Sequence, residues 1–364
     1  MARTHMNIVI LGAGLMGRLL ACQLARAGHA VELFDAGGPD ALNSAARAAA
    51  AMLAPLAESA ITETSVVQMG VHGLQRWPAL LAQLDEPVFF QQQGTLILWH
   101  RQDVAQAERF TRQLDATCLA LPDLPAAQRL DAAGVAQLEP SLGTRFTQGL
   151  YLPSEGQLDN HQLLDALLHQ LQGLGAKLNW HSPRAVGDFA PGQTGQPDWV
   201  FDCRGLGARE QWPALRGVRG EVIMLHAPEV RLTRPTRLIH PRYPIYIAPK
   251  QNGIFRIGAT EIESDDLSPM SVRSTLELLS AAYSVDSGFA EARILDLVTQ
   301  CRPALPDNLP VIRRLGKRVL QINGLYRHGF MIAPALLDVA MELFHTGSSA
   351  LADRLSLSIQ QAHD

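Results

Sequence analysis

A glycine-rich segment near the start of the chain has the spacing of a phosphate-binding turn. Residues 12–17 have the sequence Gly-Ala-Gly-Leu-Met-Gly and follow a short apolar run. In such a turn the first glycine permits the tight bend, the second lets the backbone approach a pyrophosphate, and the third lets helix pack on strand. Asp35, 18 residues further on, can accept hydrogen bonds from a ribose diol. The pattern predicts an adenine dinucleotide site, without separating NAD from FAD, at Gly12, Gly14, Leu15, Met16, Gly17 and Asp35.

The apolar pattern predicts the elements that must position this turn. Residues 7–11 are predicted to form a buried strand, 15–27 a helix that Gly28 ends, and 30–34 the next strand. This βαβ unit requires a parallel sheet with helices on both faces. Further helices are predicted at 103–114, 131–138, 160–174 and 272–282, and further strands at 199–202, 221–225, 243–248, 254–260 and on both sides of Gly94.

The composition excludes several classes of protein. The 364 residues are 47% apolar and 18% charged, with a net charge of −4, which suits two folded domains and excludes intrinsic disorder. Without a basic stripe we expect no nucleic-acid partner, and without an apolar run of ~18 residues we expect no membrane span. Four scattered cysteines form no Cys-x-x-Cys pair. Their spacing argues against a metal centre or a disulfide framework and favours a cytoplasmic location.

A series of short motifs along the chain resembles one enzyme family. Residues 44–55 form a small-residue segment interrupted by Arg47, which alone is compatible with an Ala-rich helix. Further motifs follow in the family's order at 138–140, 149–156, 218–221, 246–249 with 258–260, 302–304 with 307–310, and 326–329 with 333–334. With these motifs almost the whole chain resembles the D-amino-acid oxidase family. It is most similar to the glycine oxidase branch linked to thiamine biosynthesis.

The resemblance implies FAD as the cofactor and an α/β fold in two interleaved parts. A Rossmann-like FAD-binding domain with a parallel sheet would comprise residues 6–85, 146–215 and 300–364. A substrate-binding domain with an antiparallel sheet would comprise residues 86–145 and 216–299. Beyond the glycine-rich turn, the implied cofactor-binding residues are Ser44, Ala46, Ala51, Met52, Gly205, Arg327, His328, Gly329, Met331 and Ile332.

Three side chains are implied as the catalytic set. Arg302 matches the family arginine that clamps the substrate carboxylate; the alternative is a surface arginine before a proline. Tyr246 matches the family tyrosine whose hydroxyl also binds that carboxylate; the alternative is a strand tyrosine that packs its ring in a core. Arg327 matches a second arginine near flavin and substrate, or it is a solvated loop residue.

The last motif leads into an apolar stretch that is predicted to form a helix. Residues 329–334 are predicted as a loop, with Pro334 at the start of the helix. The resemblance implies that this helix points its N-terminus at the flavin, where backbone amides would stabilise the anionic reduced ring. The family usually has Asn where this chain has His328. We expect His328 to have a packing or capping role rather than to act as a base.

The leading functional interpretation is a flavin-dependent oxidase. Glycine or another small amino acid, with oxygen as acceptor, would give the 2-oxo acid, ammonia and hydrogen peroxide, and the imine of glycine would serve thiamine synthesis. One alternative is a D-amino-acid dehydrogenase that uses a quinone or a protein acceptor. Others are a flavin-stabilised protein without turnover and an NAD dehydrogenase, which does not need the Arg302 motif. The resemblance also implies a homo-oligomer.

Overall fold

The apolar runs of the chain form three β-sheets with covering helices in the computed structural model, which describes residues 5–143, 145–242 and 244–362. The α-helices are α1 Leu15–Arg26, α2 Ala45–Ala48, α3 Pro55–Glu58, α4 Thr64–Leu81, α5 Val104–Ala120, α6 Ala132–Leu138, α7 Asn160–Gly173, α8 Val272–Val285, α9 Gly329–Thr346 and α10 Ala350–Leu355. The strands are β1 Asn7–Leu11, β2 Ala30–Phe34, β3 Met52–Leu53, β4 Phe90–Gln91, β5 Thr95–Trp99, β6 Gln128–Asp131, β7 Gln148–Leu152, β8 Gly156–Leu158, β9 Lys177–Asn179, β10 Trp199–Asp202, β11 Arg216–His226, β12 Thr236–Ile239, β13 Ile245–Pro249, β14 Ile254–Gly258, β15 Arg293–Ala304, β16 Val311–Leu315, β17 Val319–Asn323 and β18 Ser358–Ala362.

The seven-stranded sheet contains the predicted βαβ unit. Its strand order is β18-β16-β17-β10-β1-β2-β9, and β1 pairs in parallel with both β2 and β10. Ile8 and Ile10 of β1 are buried in the core that includes α1, and Val9 and Leu11 are buried on the other face. A strand covered on both faces has this continuous apolar pattern. The predicted α/β fold is therefore confirmed.

The second large sheet has eight strands in the order β15-β11-β14-β13-β12-β5-β7-β6. Its pairs are antiparallel except for β12 with β5, and a third sheet has the order β3-β8-β4. The strand predicted at 243–248 is β13, and Tyr243 lies outside the described residues. Strand β7 and the end of β15 belong to this sheet, although 146–215 and 300–364 are predicted to belong to the other domain. The domain boundaries stay a prediction.

Helix α9 begins five residues earlier than the sequence predicts. Residues 329–334 are the first turns of the helix, so the predicted loop is wrong. Pro334 has no N–H for the carbonyl of Phe330, four residues earlier. The indole Nε1 of Trp77 donates a hydrogen bond to that carbonyl at 2.8 Å. Because the acceptor is satisfied from another helix, α9 continues through the proline.

The sequence does not predict α4, the helix that supplies Trp77. Gly70, Gly73 and Pro78 within it are weak helix formers. A Cβ placed on Gly73 would lie 2.0 Å from the carbonyl oxygen of Met331. Glycine thus lets the backbones of α4 and α9 touch, and this close packing offsets the poor intrinsic propensity of α4.

One segment of the described chain, Tyr326–Thr346, could cross a membrane by length and composition. However, 67% of its most apolar stretch is buried inside the protein, where α9 packs against α1 and α4. A core helix has the same properties, so the segment is weak support for a membrane span.

Candidate active site

The carboxyl ends of β1, β2 and β10 open onto a cavity of about 620 Å³. Its lining continues to β11, β13 and β15 of the eight-stranded sheet. Open α/β sheets bind ligands at the carboxyl ends of their strands. We call the part around Gly12, Gly14 and Asp35 the glycine-rich end. The arginine-lined end is the part lined by Arg237, Arg302 and Arg327.

The glycine-rich end consists of backbone and small side chains. Asp35 follows β2, and its carboxylate accepts hydrogen bonds from the N–H groups of Ala13 at 2.5 Å and Gly37 at 2.6 Å. These bonds hold Asp35 against the turn that starts α1. A Cβ on Gly14 would lie 3.0 Å from Oγ of Ser44, so the turn and the small-residue segment are in contact. Backbone, rather than side chains, forms this surface.

Most of the predicted site residues line the cavity. Gly17 and Ile332 do not: a Cβ on Gly17 would lie 1.8 Å from the carbonyl oxygen of Gly12, and Ile332 is buried in the core. Arg47 also lies outside the lining and pairs with Asp165 at 3.1 Å. The roles of all these residues stay predictions. Those that line the cavity are Gly12, Gly14, Leu15, Met16, Asp35, Ser44, Ala46, Ala51, Met52, Gly205, Tyr246, Arg302, Arg327, His328, Gly329 and Met331.

These features fit FAD. A Cβ on Gly12 would lie 2.7 Å from the carbonyl oxygen of Cys203, so glycine lets this turn pack against the backbone that follows β10 at the mouth of the cavity. The first residues of α1 line the glycine-rich end, where unpaired N–H groups favour phosphate. Asp35 has further lone pairs for a ribose. Gly329 and Met331, at the N-terminus of α9, line the cavity where a flavin would lie.

Arg302 is a half-buried cation without a counter-ion in the described chain. Its Nη2 donates to the carbonyl of Thr260 at 3.1 Å and its Nη1 to that of Arg219 at 3.5 Å. No carboxylate oxygen of residues 5–143, 145–242 and 244–362 lies within 4.0 Å of the guanidinium. Burial lowers the pKa of Arg302 from its ordinary value. A ligand carboxylate would supply the missing charge.

Tyr246 on β13 lines the same end of the cavity. A Cβ on Gly258 would lie 2.5 Å from the tyrosine hydroxyl, so glycine makes room for the ring. The hydroxyl has no hydrogen-bond partner among the described residues. Burial raises the pKa of Tyr246, which keeps the hydroxyl protonated at neutral pH. It is therefore available as a donor to a ligand.

Arg327, by contrast, is already paired with two carboxylates. Its Nε lies 3.2 Å from Oε2 of Glu58, and its Nη1 lies 2.6 Å from Oε2 of Glu261. Glu58 also pairs with Arg237. The sequence did not predict roles for Glu58, Arg237 or Glu261. One signal was available for Glu58, because this lone carboxylate ends the apolar run 48–57.

Burial and the neighbouring charges shift the pKa values of Glu58 and His328. Burial alone would raise the pKa of Glu58, but Arg237 and Arg327 hold it well below its ordinary range. Nδ1 of His328 lies 3.4 Å from Oε2 of Glu58, yet burial lowers the pKa of His328 to about 4. His328 precedes α9 without a capping hydrogen bond from its side chain, and its ring packs edge-on against Tyr326. The geometry favours packing over capping.

Lys250 supports the small-residue segment from behind the cavity. It follows β13, and its buried Nζ donates to the carbonyls of Ala50 and Leu158, each at 2.8 Å. A third bond goes to Oε1 of Gln157 at 3.1 Å. Burial lowers the pKa of Lys250 to about 7. A residue next to the eight-stranded sheet thus holds the backbone of the glycine-rich end.

Comparison with known proteins gives one consistent result. The family model for FAD dependent oxidoreductases matches residues 7–342. The chain is 39% identical over 339 residues to a Rhizobium etli protein with the provisional name thiamine biosynthesis oxidoreductase ThiO, covering 93% of this chain and 96% of the relative. It is 25% identical over 361 residues to glycine oxidase of Geobacillus kaustophilus, covering 90% of each.

Two crystal structures have a similar fold. That of glycine oxidase from Geobacillus kaustophilus has a TM-score of 0.78 at 23% identity, covering 95% of this chain and 96% of that chain. That of iminodiacetate oxidase from Chelativorans sp. BNC1 also has a TM-score of 0.78, at 21% identity, covering 98% and 100%. At these identities the likeness shows the fold alone.

The family match over residues 7–342 places the chain in the class of FAD-dependent oxidoreductases, and the glycine-rich and arginine-lined ends of the cavity fit that class. Within that class, the chain belongs to the FAD-dependent oxidoreductase family and is similar to ThiO and glycine oxidase. The predicted family, enzyme class and cofactor are thereby confirmed.

Proposed function

We propose that the chain is an oxidase of glycine or another small amino acid. Glycine, oxygen and water would give glyoxylate, ammonia and hydrogen peroxide. The observation that carries this proposal is Arg302, a cavity-lining guanidinium without a carboxylate partner among the described residues, next to the unpartnered hydroxyl of Tyr246. Glycine and other amino acids carry an α-carboxylate, and a guanidinium can bind this group in a bidentate fashion.

The residues of the arginine-lined end would position the substrate. Arg302 and the Tyr246 hydroxyl bind the carboxylate and so fix the α-carbon and the amine relative to the cavity wall. The chemistry that bound FAD would supply there is that of a hydride acceptor for this carbon. The N-terminus of α9, at Gly329 and Met331, presents a partial positive charge that stabilises negative charge on its ligand. Neutral His328 packs beside Glu58 without taking part in the proton balance.

We propose a place for the reaction in thiamine biosynthesis, where the imine of glycine would be the useful product. The name of the Rhizobium etli relative supports this proposal. Oxygen as the acceptor, a cytoplasmic location and assembly into a homo-oligomer belong to the same proposal. The partner expected at the site is one small amino acid.

The test is the visible spectrum of the oxygen-depleted holoenzyme during titration with glycine. We expect the flavin bands to bleach. We expect Arg302→Ala to lower kcat/KM by a factor that corresponds to about 2–5 kcal/mol of transition-state stabilisation, because the substrate carboxylate loses its charged partner. Arg302→Lys is the matched control: it keeps the positive charge but loses the planar, bidentate geometry of the guanidinium, and it should retain part of the activity. Unchanged kcat/KM in Arg302→Ala would remove the assignment.

The acceptor is tested by mixing the reduced enzyme with oxygenated buffer. Prompt reoxidation with formation of peroxide supports the oxidase. A reduced enzyme that is stable in air and is reoxidised only by a quinone or a protein acceptor would establish the dehydrogenase instead. If the flavin bands persist with glycine but bleach with a larger amino acid, the substrate is that larger amino acid and the assignment of the site is unchanged.

A further inference from the structure

The arginine-lined end contains more guanidiniums than one substrate carboxylate needs. Arg237, Arg302 and Arg327 line it together with the carboxylates of Glu58 and Glu261. Three positive and two negative charges leave a single positive charge. Because His328 is neutral at neutral pH, it does not alter this balance. The charge at this end therefore matches one carboxylate.

The two carboxylates occupy different positions. Glu58 lies between Arg237 and Arg327 and its side chain is 8% exposed. Glu261 pairs with Arg327 from the open side, and its side chain is 46% exposed. Both carboxylates line the cavity, but Glu58 is enclosed between two guanidiniums, whereas Glu261 is the one exposed to an entering ligand. A second ligand carboxylate that approached Nη1 of Arg327 would have to displace Glu261.

We propose that Glu261 is a specificity-determining residue that restricts this site to amino acids with one carboxylate. The proposal rests on the proposed function, since it takes Arg302 as the clamp for the α-carboxylate. Glu261 acts in two ways: it occupies the Nη1 donor of Arg327 at 2.6 Å, and its negative charge repels a second carboxylate of the ligand. Opposed like charges in a partly buried site are strongly unfavourable. Glu261 thus makes Arg302 the guanidinium that is free to bind substrate.

The experiment compares two unreactive ligands, acetate and malonate, bound to the holoenzyme and measured by calorimetry and by perturbation of the flavin spectrum. In the wild type we expect acetate to bind more tightly than malonate. In Glu261→Gln and Glu261→Ala we expect the affinity for malonate relative to acetate to rise by at least about tenfold. The ratio of kcat/KM for iminodiacetate to that for glycine should rise in the same direction.

The matched control is Glu263→Gln. Glu263 is two residues further along the chain and pairs with Arg216 with its side chain 68% exposed, and it does not line the cavity. This variant loses the same charge, and we expect it to keep the wild-type ratio of malonate to acetate affinity. An equal rise in both Gln variants would show an effect of net charge and overturn the proposal.

Arg302→Ala separates the two proposals. If acetate binding is lost in Arg302→Ala but the Glu261 variants do not gain malonate affinity, the role of Glu261 is wrong and the clamp stands. If acetate binds equally well to Arg302→Ala, the proposed function itself fails. Malonate that binds the wild type as tightly as acetate does would also overturn the role of Glu261.

Discussion

The two ends of the cavity are built in opposite ways. The glycine-rich end uses backbone and small side chains, and its turn comes from one contiguous segment, 12–17, held by Asp35. The arginine-lined end uses charged side chains from segments far apart in the chain: α3, β12, β15 and the 326–328 turn. One end therefore depends on local geometry, and the other depends on the pairing of buried charges.

This difference has an energetic consequence. Glycine and alanine present backbone groups with little cost in desolvation, whereas each buried guanidinium must be compensated by a carboxylate or a carbonyl. Glu58 compensates two of them, Arg237 and Arg327. Stability at the arginine-lined end should therefore depend on charge compensation, whereas at the glycine-rich end it depends on space for the backbone, since a Cβ on Gly17 would lie 1.8 Å from the carbonyl oxygen of Gly12.

The largest expected effect is that of Glu58→Gln. The substitution removes a buried carboxylate and leaves the half-buried Arg237 and Arg327 without the charge between them, and we expect the free energy of unfolding to fall by about 3–5 kcal/mol. Urea unfolding at neutral pH and fixed FAD concentration measures it. Glu263→Gln, which breaks an exposed pair, should cost about 0–1 kcal/mol. Equal losses in the two variants would show that Glu58 does not act as a buried counter-ion.

The pH dependence of stability that arises from His328 tests the same charge cluster. Burial lowers the pKa of His328 to about 4, against about 6.5 in an unfolded chain. Between these values the unfolded state binds more protons, so stability falls as the pH falls from 6.5 towards 4. Glu58, Glu261, Arg237 and Arg327 are the charges that act on the ring.

Replacing this histidine should reduce the acid sensitivity. Between pH 7.5 and pH 5 we expect His328→Asn to lose about 2 kcal/mol less stability than the wild type. Urea unfolding at both pH values gives the difference. His161, whose pKa burial also lowers to about 4, titrates in the same window and accounts for a remaining slope. Identical slopes in wild type and variant would show that His328 is not buried as a neutral ring.

The same contrast explains how far the sequence could predict the molecule. Strands β1 and β2 and the glycine-rich turn follow from local patterns, and the structure has them where the sequence predicts them. The start of α9 was mispredicted because the bond that satisfies Phe330 comes from Trp77, 253 residues away. Glu58, Arg237 and Glu261 were missed for the same reason. Their ion pairs form only when segments that are distant in the chain fold together, so no spacing in the sequence predicts them.

The smallest expected effect is that of replacing Lys250 on FAD affinity. It tests whether the glycine-rich end depends only on contacts within its own segments. The Nζ of Lys250 holds the carbonyl of Ala50 at 2.8 Å, although it lies next to the eight-stranded sheet. Lys250→Met keeps the volume and removes the donor. We expect FAD affinity to fall by about 1 kcal/mol, roughly fivefold, because the small-residue segment loses one support. Fluorescence titration of the apoprotein with FAD measures this, and exposed Lys317→Met is the control. Weaker substrate binding with unchanged FAD affinity would assign Lys250 to the arginine-lined end instead.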